Sequence, residues 1–200
     1  YLLEHCKGKL HFATVSGQKS IELLKGAKAK GLEVSCDVSA AHLFLNDTHL
    51  NGFDSRFKVL PPFRSEESRQ HLIKGLKEGT INAICSDHLP EDIESKKREF
   101  DHASFGIINI QTAFAAARMA TEGELSVEAL IKFFTEGPSR VLGLEPTPIK
   151  VGKKANLTLF DPDQEYTFEK TDVISKSLNS PFFGKKLMGK VFGVVNNGQT

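Results

Sequence analysis

The sequence predicts an α/β protein with a β-rich appendage. Three observations lead there: a strand–helix–strand unit near the start, polar residues gathered where successive apolar runs end, and a change after Ile149 to short, glycine-punctuated β-type runs.

Leu10–Val15 (LHFATV) reads as a short buried strand. Ser16 is expected to cap a helix through Lys19–Lys30, where Ile21, Leu24, Ala27 and Lys28 recur at helical spacing and which Gly31 ends. Leu32–Val38 is the next strand, and so compact a βαβ unit implies parallel pairing. Turn residues at Leu45–Thr48 and Asn51–Asp54 predict a loop, followed by a third strand at Arg56–Leu60 that Pro61-Pro62 stop. Ser65 opens a helix with Glu66 and Glu67 in its first turn and Gly79 at its end. Thr80–Cys85 is the fourth strand, and Cys85-Ser86-Asp87-His88-Leu89-Pro90-Glu91-Asp92 is its outlet.

Further helices are predicted at Ile110–Met119, from a Ser126 cap to Phe134, and between Pro138 and Gly143. Ala155–Phe160 and Lys190–Val195, with turns at Asp161-Pro162-Asp163 and Asn196-Asn197-Gly198, predict an antiparallel tail. Four parallel strands with intervening helices amount to half of an eight-stranded barrel, with an open doubly wound sheet as the rival. No glycine-rich phosphate loop follows any strand, which weighs against the open sheet.

Lys and Arg number 26 against 25 Asp and Glu, a net charge of +1, so there is no electrostatic case for a nucleic-acid partner. Lys96-Lys97-Arg98, flanked by Glu94 and Glu99, is expected to be a solvated face. No apolar run reaches the ~20 residues of a membrane span. The first residues lack the basic start and apolar core of a signal peptide, so a cytoplasmic setting is expected; the missing initial Met is expected of a fragment. Cys6, Cys36 and Cys85 form no CxxC pair, which predicts neither a disulfide framework nor a zinc ribbon, and Cys36 and Cys85 are expected in the core. No GxSxG elbow is present.

The segments LHFATVS, CDVSAAHLFL, FKVLPPFRSEESRQHLIKGLKEGTINAICSDHLPED, ASFGI, GLEPTPIKVGKKANLTLFDPD and SKSLNSPFFGKKLMGKVFGVVNNG, in that order, resemble the dihydroorotases of the amidohydrolase superfamily. The resemblance implies the C-terminal half of a TIM-type (β/α)8 amidohydrolase barrel, strands five to eight, over residues 1–146. It adds part of a small flanking β-sandwich over 147–200. It also implies zinc, held in the family by an HxH pair and a fourth-strand ligand outside this chain, by histidines of strands five and six, and by an aspartate of strand eight that shuttles the proton. On that pattern Asp87 is the catalytic acid and a metal ligand. Phe105 and Gly106 touch the substrate ring, which is dihydroorotate or another cyclic amide.

Several positions depart from the pattern. Thr14 stands where strand five carries its ligating histidine, and Ala41 where strand six does. His42 matches the neighbouring, non-ligating histidine and reaches a metal only through a register shift that a strand opposes. Leu60 replaces an asparagine that binds the ring, and Glu91 replaces a histidine that binds the substrate carboxylate. Arg64 is expected to brace its loop and His11 and His88 to be hydrogen-bonded structural residues, while His5, His49, His71 and His102 show no ligand-like spacing.

Two functions follow. One is a dihydroorotase-like protein with a degenerate site, acting as a structural partner; the resemblance supplies aspartate transcarbamoylase as the protein such members assemble with. The other is an active zinc-dependent cyclic amidase. Half a barrel exposes two sheet edges, so a homo-oligomer is expected.

Overall fold

The protein is described by a computed structural model covering residues 1–145, 148–196 and 199. Strands β1 (Leu10–Phe12), β2 (Val34–Ser39) and β3 (Ala83–Cys85) form a parallel sheet in the order β1-β2-β3. His11 lies opposite Ser35, and Asp37 opposite Ala83. Alternation along β2 sends Cys36 and Val38 into the core and leaves Ser35 and Asp37 half-buried on the other face.

Four parallel strands were expected and, among the described residues, three are found. Arg56–Leu60 is not a strand: Ser55–Phe57 makes a 3₁₀ turn, because the Asp54 carboxylate accepts from Arg56 N at 2.8 Å. The Lys58 carbonyl then accepts from Gly106 N at 2.9 Å, so this backbone pairs with a loop and β2 pairs directly with β3.

Helix α1 (Gln18–Ala29) starts after Gly17, not at a Ser16 cap; the Ser16 hydroxyl instead accepts from Arg64 Nε at 3.4 Å, which gives Arg64 its bracing role. Lys28 Nζ donates to Thr80 O at 2.7 Å and Asn82 Oδ1 at 3.0 Å, and the same Oδ1 accepts from Cys36 N at 3.1 Å. One lysine and one asparagine thereby lash α1 to the chain entering β3. Helix α2 (Ala40–Phe44), capped by Ser39, begins where β2 ends. Helix α3 (Glu66–Lys77) has the expected Ser65 cap and packs on α1 through a buried face that includes Leu72, Ile73 and Leu76.

Helix α4 (Ala113–Ala120) starts later than predicted, and Asn109 N and Ile110 N ahead of it donate to His88 Nδ1. Helices α5 (Val127–Phe134), capped by Ser126, and α6 (Glu136–Leu142), ended by Gly143 at φ +68°, are as expected and pack on β3.

Strands β4 (Asn156–Thr167) and β5 (Lys186–Asn196) form an antiparallel ribbon. The turn predicted at Asp161–Asp163 is a shift of register inside β4, held by Asp161 Oδ1 accepting from Asp163 N and Gln164 N. The Asn197-Gly198 turn and the proposed boundary at Pro146-Thr147 lie outside the described residues. The ribbon docks on α4, where Phe114 meets Phe160 edge-on at 4.8 Å. Among the described residues no helix is long and apolar enough to cross a membrane.

Candidate functional site

At the carboxyl ends of the sheet the polar side chains converge on Asp37, a residue that sequence reasoning did not single out. Asp37 Oδ2 accepts from His11 Nε2 at 2.9 Å, while Oδ1 accepts from Thr14 N at 2.9 Å and from Cys85 Sγ at 3.3 Å. His11 Nδ1 is 2.8 Å from Ser35 Oγ. The register makes this inevitable: Ser35 and Asp37 are two apart on one face of β2, and the imidazole opposite Ser35 spans both. His11 is thus the hydrogen-bonded residue expected. The order Ser35–His11–Asp37 is that of a nucleophilic triad, yet Ser35 lies inside the ladder and Cys36 N is committed to Asn82 Oδ1, leaving no oxyanion donor beside it.

Thr14 and Asp87 both turn out of their strands with left-handed backbone, φ +54° and +47°. For a β-branched residue that conformation is an outlier, and the Thr14 N–H bond to Asp37 holds it there. Among the described residues the Asp87 carboxylate has no hydrogen-bond partner. Burial, then the nearby Asp37 charge, raise its pKa above the usual carboxylate value. Cys85, expected in the core, is half-buried beside Asp37; burial first, then Asp37, push its thiol up to about 12, so it is no nucleophile.

Ala41 and His42 lie on α2, not on a strand, and both are buried. His42 Nε2 donates to Pro61 O at 2.9 Å, its ring sits 4.9 Å from Phe63, and Nδ1 is buried with no partner. Burial lowers its pKa to about 4. The side chain is turned into the loop after Leu60, against Pro61 and Phe63. His88 is structural as expected, accepting two backbone N–H groups on Nδ1.

Phe105 and Gly106 stand beside the outlet of β3, where Leu89 N donates to Ile107 O at 2.8 Å. Gly106 has φ +126°, and a Cβ there would lie 2.9 Å from Leu89 O. Lys58 Nζ is 4.7 Å from the Phe105 ring centroid. Glu91 accepts from Ser95 Oγ at 3.2 Å, and Leu60 is exposed.

The sequence profile of the amidohydrolase family matches residues 11–200. The chain belongs to the amidohydrolase family. Its relatives include the dihydroorotase of Caldanaerobacter subterraneus subsp. tengcongensis, 38% identical over 96% of this chain and 44% of that protein. The dihydroorotase of Chlorobaculum tepidum is 37% identical over the same shares. Among solved structures, the D-hydantoinase (dihydropyrimidinase) from Thermus sp. superposes with a TM-score of 0.88 at 22% identity, covering 98% of this chain and 45% of that one. The L-hydantoinase from Arthrobacter aurescens gives 0.86 at 24% identity. The chain spans about half the length of the relatives it matches.

Members of this family are typically metal-dependent, which poses a direct question for the amidohydrolase residues present here. By themselves they do not make up such a centre: at the strand ends Thr14 offers only a hydroxyl, Ala41 offers nothing, both Asp37 oxygens are already engaged, and Asp87 is left as the unpaired carboxylate beside them. Among the described residues, the one group of three ligand side chains whose atoms all lie within 4.8 Å of one another is Glu99, Asp101 and His102, exposed on the loop after Lys96. The three lie within four consecutive residues of one turn, in which His102 N donates to Glu99 O.

Proposed function

We propose that this chain is the C-terminal part of a dihydroorotase-like barrel protein of pyrimidine biosynthesis whose metal site is degenerate, and that it serves as a structural partner and not as a catalyst. The observation that carries this reading is the Asp37 cluster: His11, Thr14 N and Cys85 saturate the central carboxylate at the place where a metal would need open ligands. Ala41, buried where the family pattern has a histidine, supports it. Residues 1–146 supply barrel strands and 147–200 the flanking β segment, in a cytoplasmic homo-oligomer that also assembles with aspartate transcarbamoylase.

One observation favours a second reading. Asp87 is unpaired, reachable by solvent and raised in pKa, the state in which a carboxyl accepts and returns a proton. In an active zinc-dependent dihydroorotase it would do so for a cyclic amide resting on Phe105 and Gly106.

The test is to purify the intact protein and measure bound zinc together with dihydroorotate hydrolysis. Little zinc and no turnover is expected. Stoichiometric zinc with turnover that Asp87→Asn abolishes would overturn the first reading in favour of the second. Co-purification with aspartate transcarbamoylase checks the partner.

A further inference from the structure

Two side chains and one main-chain carbonyl from different parts of the chain converge on the backbone at Gly106. Lys96, expected to be solvated, is only 7% exposed, and its Nζ donates to Ser104 O at 2.8 Å and Gly106 O at 3.0 Å. Lys58 is equally buried; its Nζ donates to Phe100 O at 2.6 Å and Asp101 O at 2.9 Å, and its carbonyl takes the Gly106 N–H. Asn179 comes from the segment joining β4 to β5. Its Nδ2 donates to Leu89 O at 3.0 Å and Gly106 O at 3.1 Å, its Oδ1 accepts from Glu91 N at 3.3 Å, and its carbonyl accepts from Ile108 N at 3.1 Å.

A buried amine is costly unless its donors are satisfied, and here each lysine meets main-chain carbonyls instead of a carboxylate. The two act as internal cations around which residues 100–106 fold. Asn179 spends both polar atoms of its side chain on residues 89–106, so the segment is pinned from the appendage as well. Ala103, Ile107 and Ile108 are buried in this stretch, but Phe105 itself is 43% exposed. A long loop so poor in regular structure is ordinarily mobile.

We propose that Lys58, Lys96 and Asn179 are positioning residues: a polar clamp that fixes residues 100–108 and thereby holds Phe105 and Gly106 beside the strand ends. The clamp goes beyond the functional reading above, because it acts whether or not metal chemistry survives at the site.

The experiment compares the intact protein with Lys96→Met, which keeps length and loses the donors, and Asn179→Ala, which removes no charge. Amide hydrogen exchange is read at residues 100–108 and at residues 34–39. In parallel, Phe105→Trp is introduced, this chain having no tryptophan of its own, and acrylamide quenching is read against the parent lacking it. Each clamp variant is expected to speed exchange at 100–108 at least tenfold, leave 34–39 unchanged and raise quenching of Trp at 105. Unchanged exchange and quenching in Asn179→Ala would overturn the proposal, and so would equal acceleration at both segments. Should Lys96→Met fail to fold, the Asn179→Ala result alone decides between these outcomes.

Discussion

His11 Nε2 lies 2.9 Å from Asp37 Oδ2, and this contact decides what the strand ends can hold. The carboxylate is already the hub of two neighbouring strands and of the Thr14 turn. Asp37→Asn keeps the shape but turns one acceptor into a donor that faces other donors. A loss of about 1–3 kcal/mol is expected. Urea unfolding at neutral pH checks it, and an unchanged midpoint would mean that the cluster contributes nothing.

Histidine should be tolerated at one of the two positions where the resemblance implies a ligand and not at the other. Thr14 sits at φ +54°, which histidine tolerates better than a β-branched residue, and its side chain is only half-buried. Thr14→His is expected to fold with stability within about 1 kcal/mol of the parent. Ala41 has no exposed surface, so Ala41→His overpacks α2 and costs about 1–3 kcal/mol or more. Denaturant midpoints of the two single variants make the comparison.

His42 predicts an acid-sensitive fold. Its pKa is about 4 in the folded chain against an ordinary 6.5, so the unfolded chain binds more protons between those values. Stability from the neutral imidazole is therefore complete above pH 6.5 and is lost as pH falls towards 4, by at most about 1.4 kcal/mol per unit. Unfolding midpoints at pH 7 and pH 5 should differ by more in the parent than in His42→Leu.

Two glycines with positive φ separate strain from collision. Gly143, at φ +68°, has open space around it, and Gly143→Ala is expected to cost about 1–2 kcal/mol, the price of left-handed backbone alone. Gly106→Ala adds contacts of 2.8 Å with Leu89 Cδ2 and 2.9 Å with Leu89 O, so its loss should be clearly the larger. Thermal unfolding of the pair checks the order.

Local chemistry was legible wherever the signal was local. Ser65 and Ser126 cap the helices they announce, and Gly143 ends one where its spacing says it must. Arg56–Leu60 misled because alternating charged and apolar residues before Pro-Pro look like a strand, while the Asp54 carboxylate had already bent the backbone. His42 misled for a similar reason: Ser39 is a residue of β2 and also the cap of α2, and the sequence pattern gives no hint that one element starts where the other stops. Asp37 escaped notice because its partners, Thr14 and Cys85, come from separate turns of chain and carry no shared spacing. Lys96 escaped because a basic residue among charges reads as solvated, and only the returning loop covers it.

The side-chain amide of Asn179 reaches back 90 residues to the carbonyl of Leu89. A ribosome delivers residues one at a time, so the segment from Leu89 to Ile108 emerges long before the group that closes it. At about 5–20 residues per second that interval lasts about 5–20 seconds. Throughout it the sheet can form while its mouth stands open, with Phe105 and the Gly106 backbone unsecured. A segment made later therefore finishes a part of the chain made earlier, and truncation before Asn179 would leave a sheet with an unfinished rim.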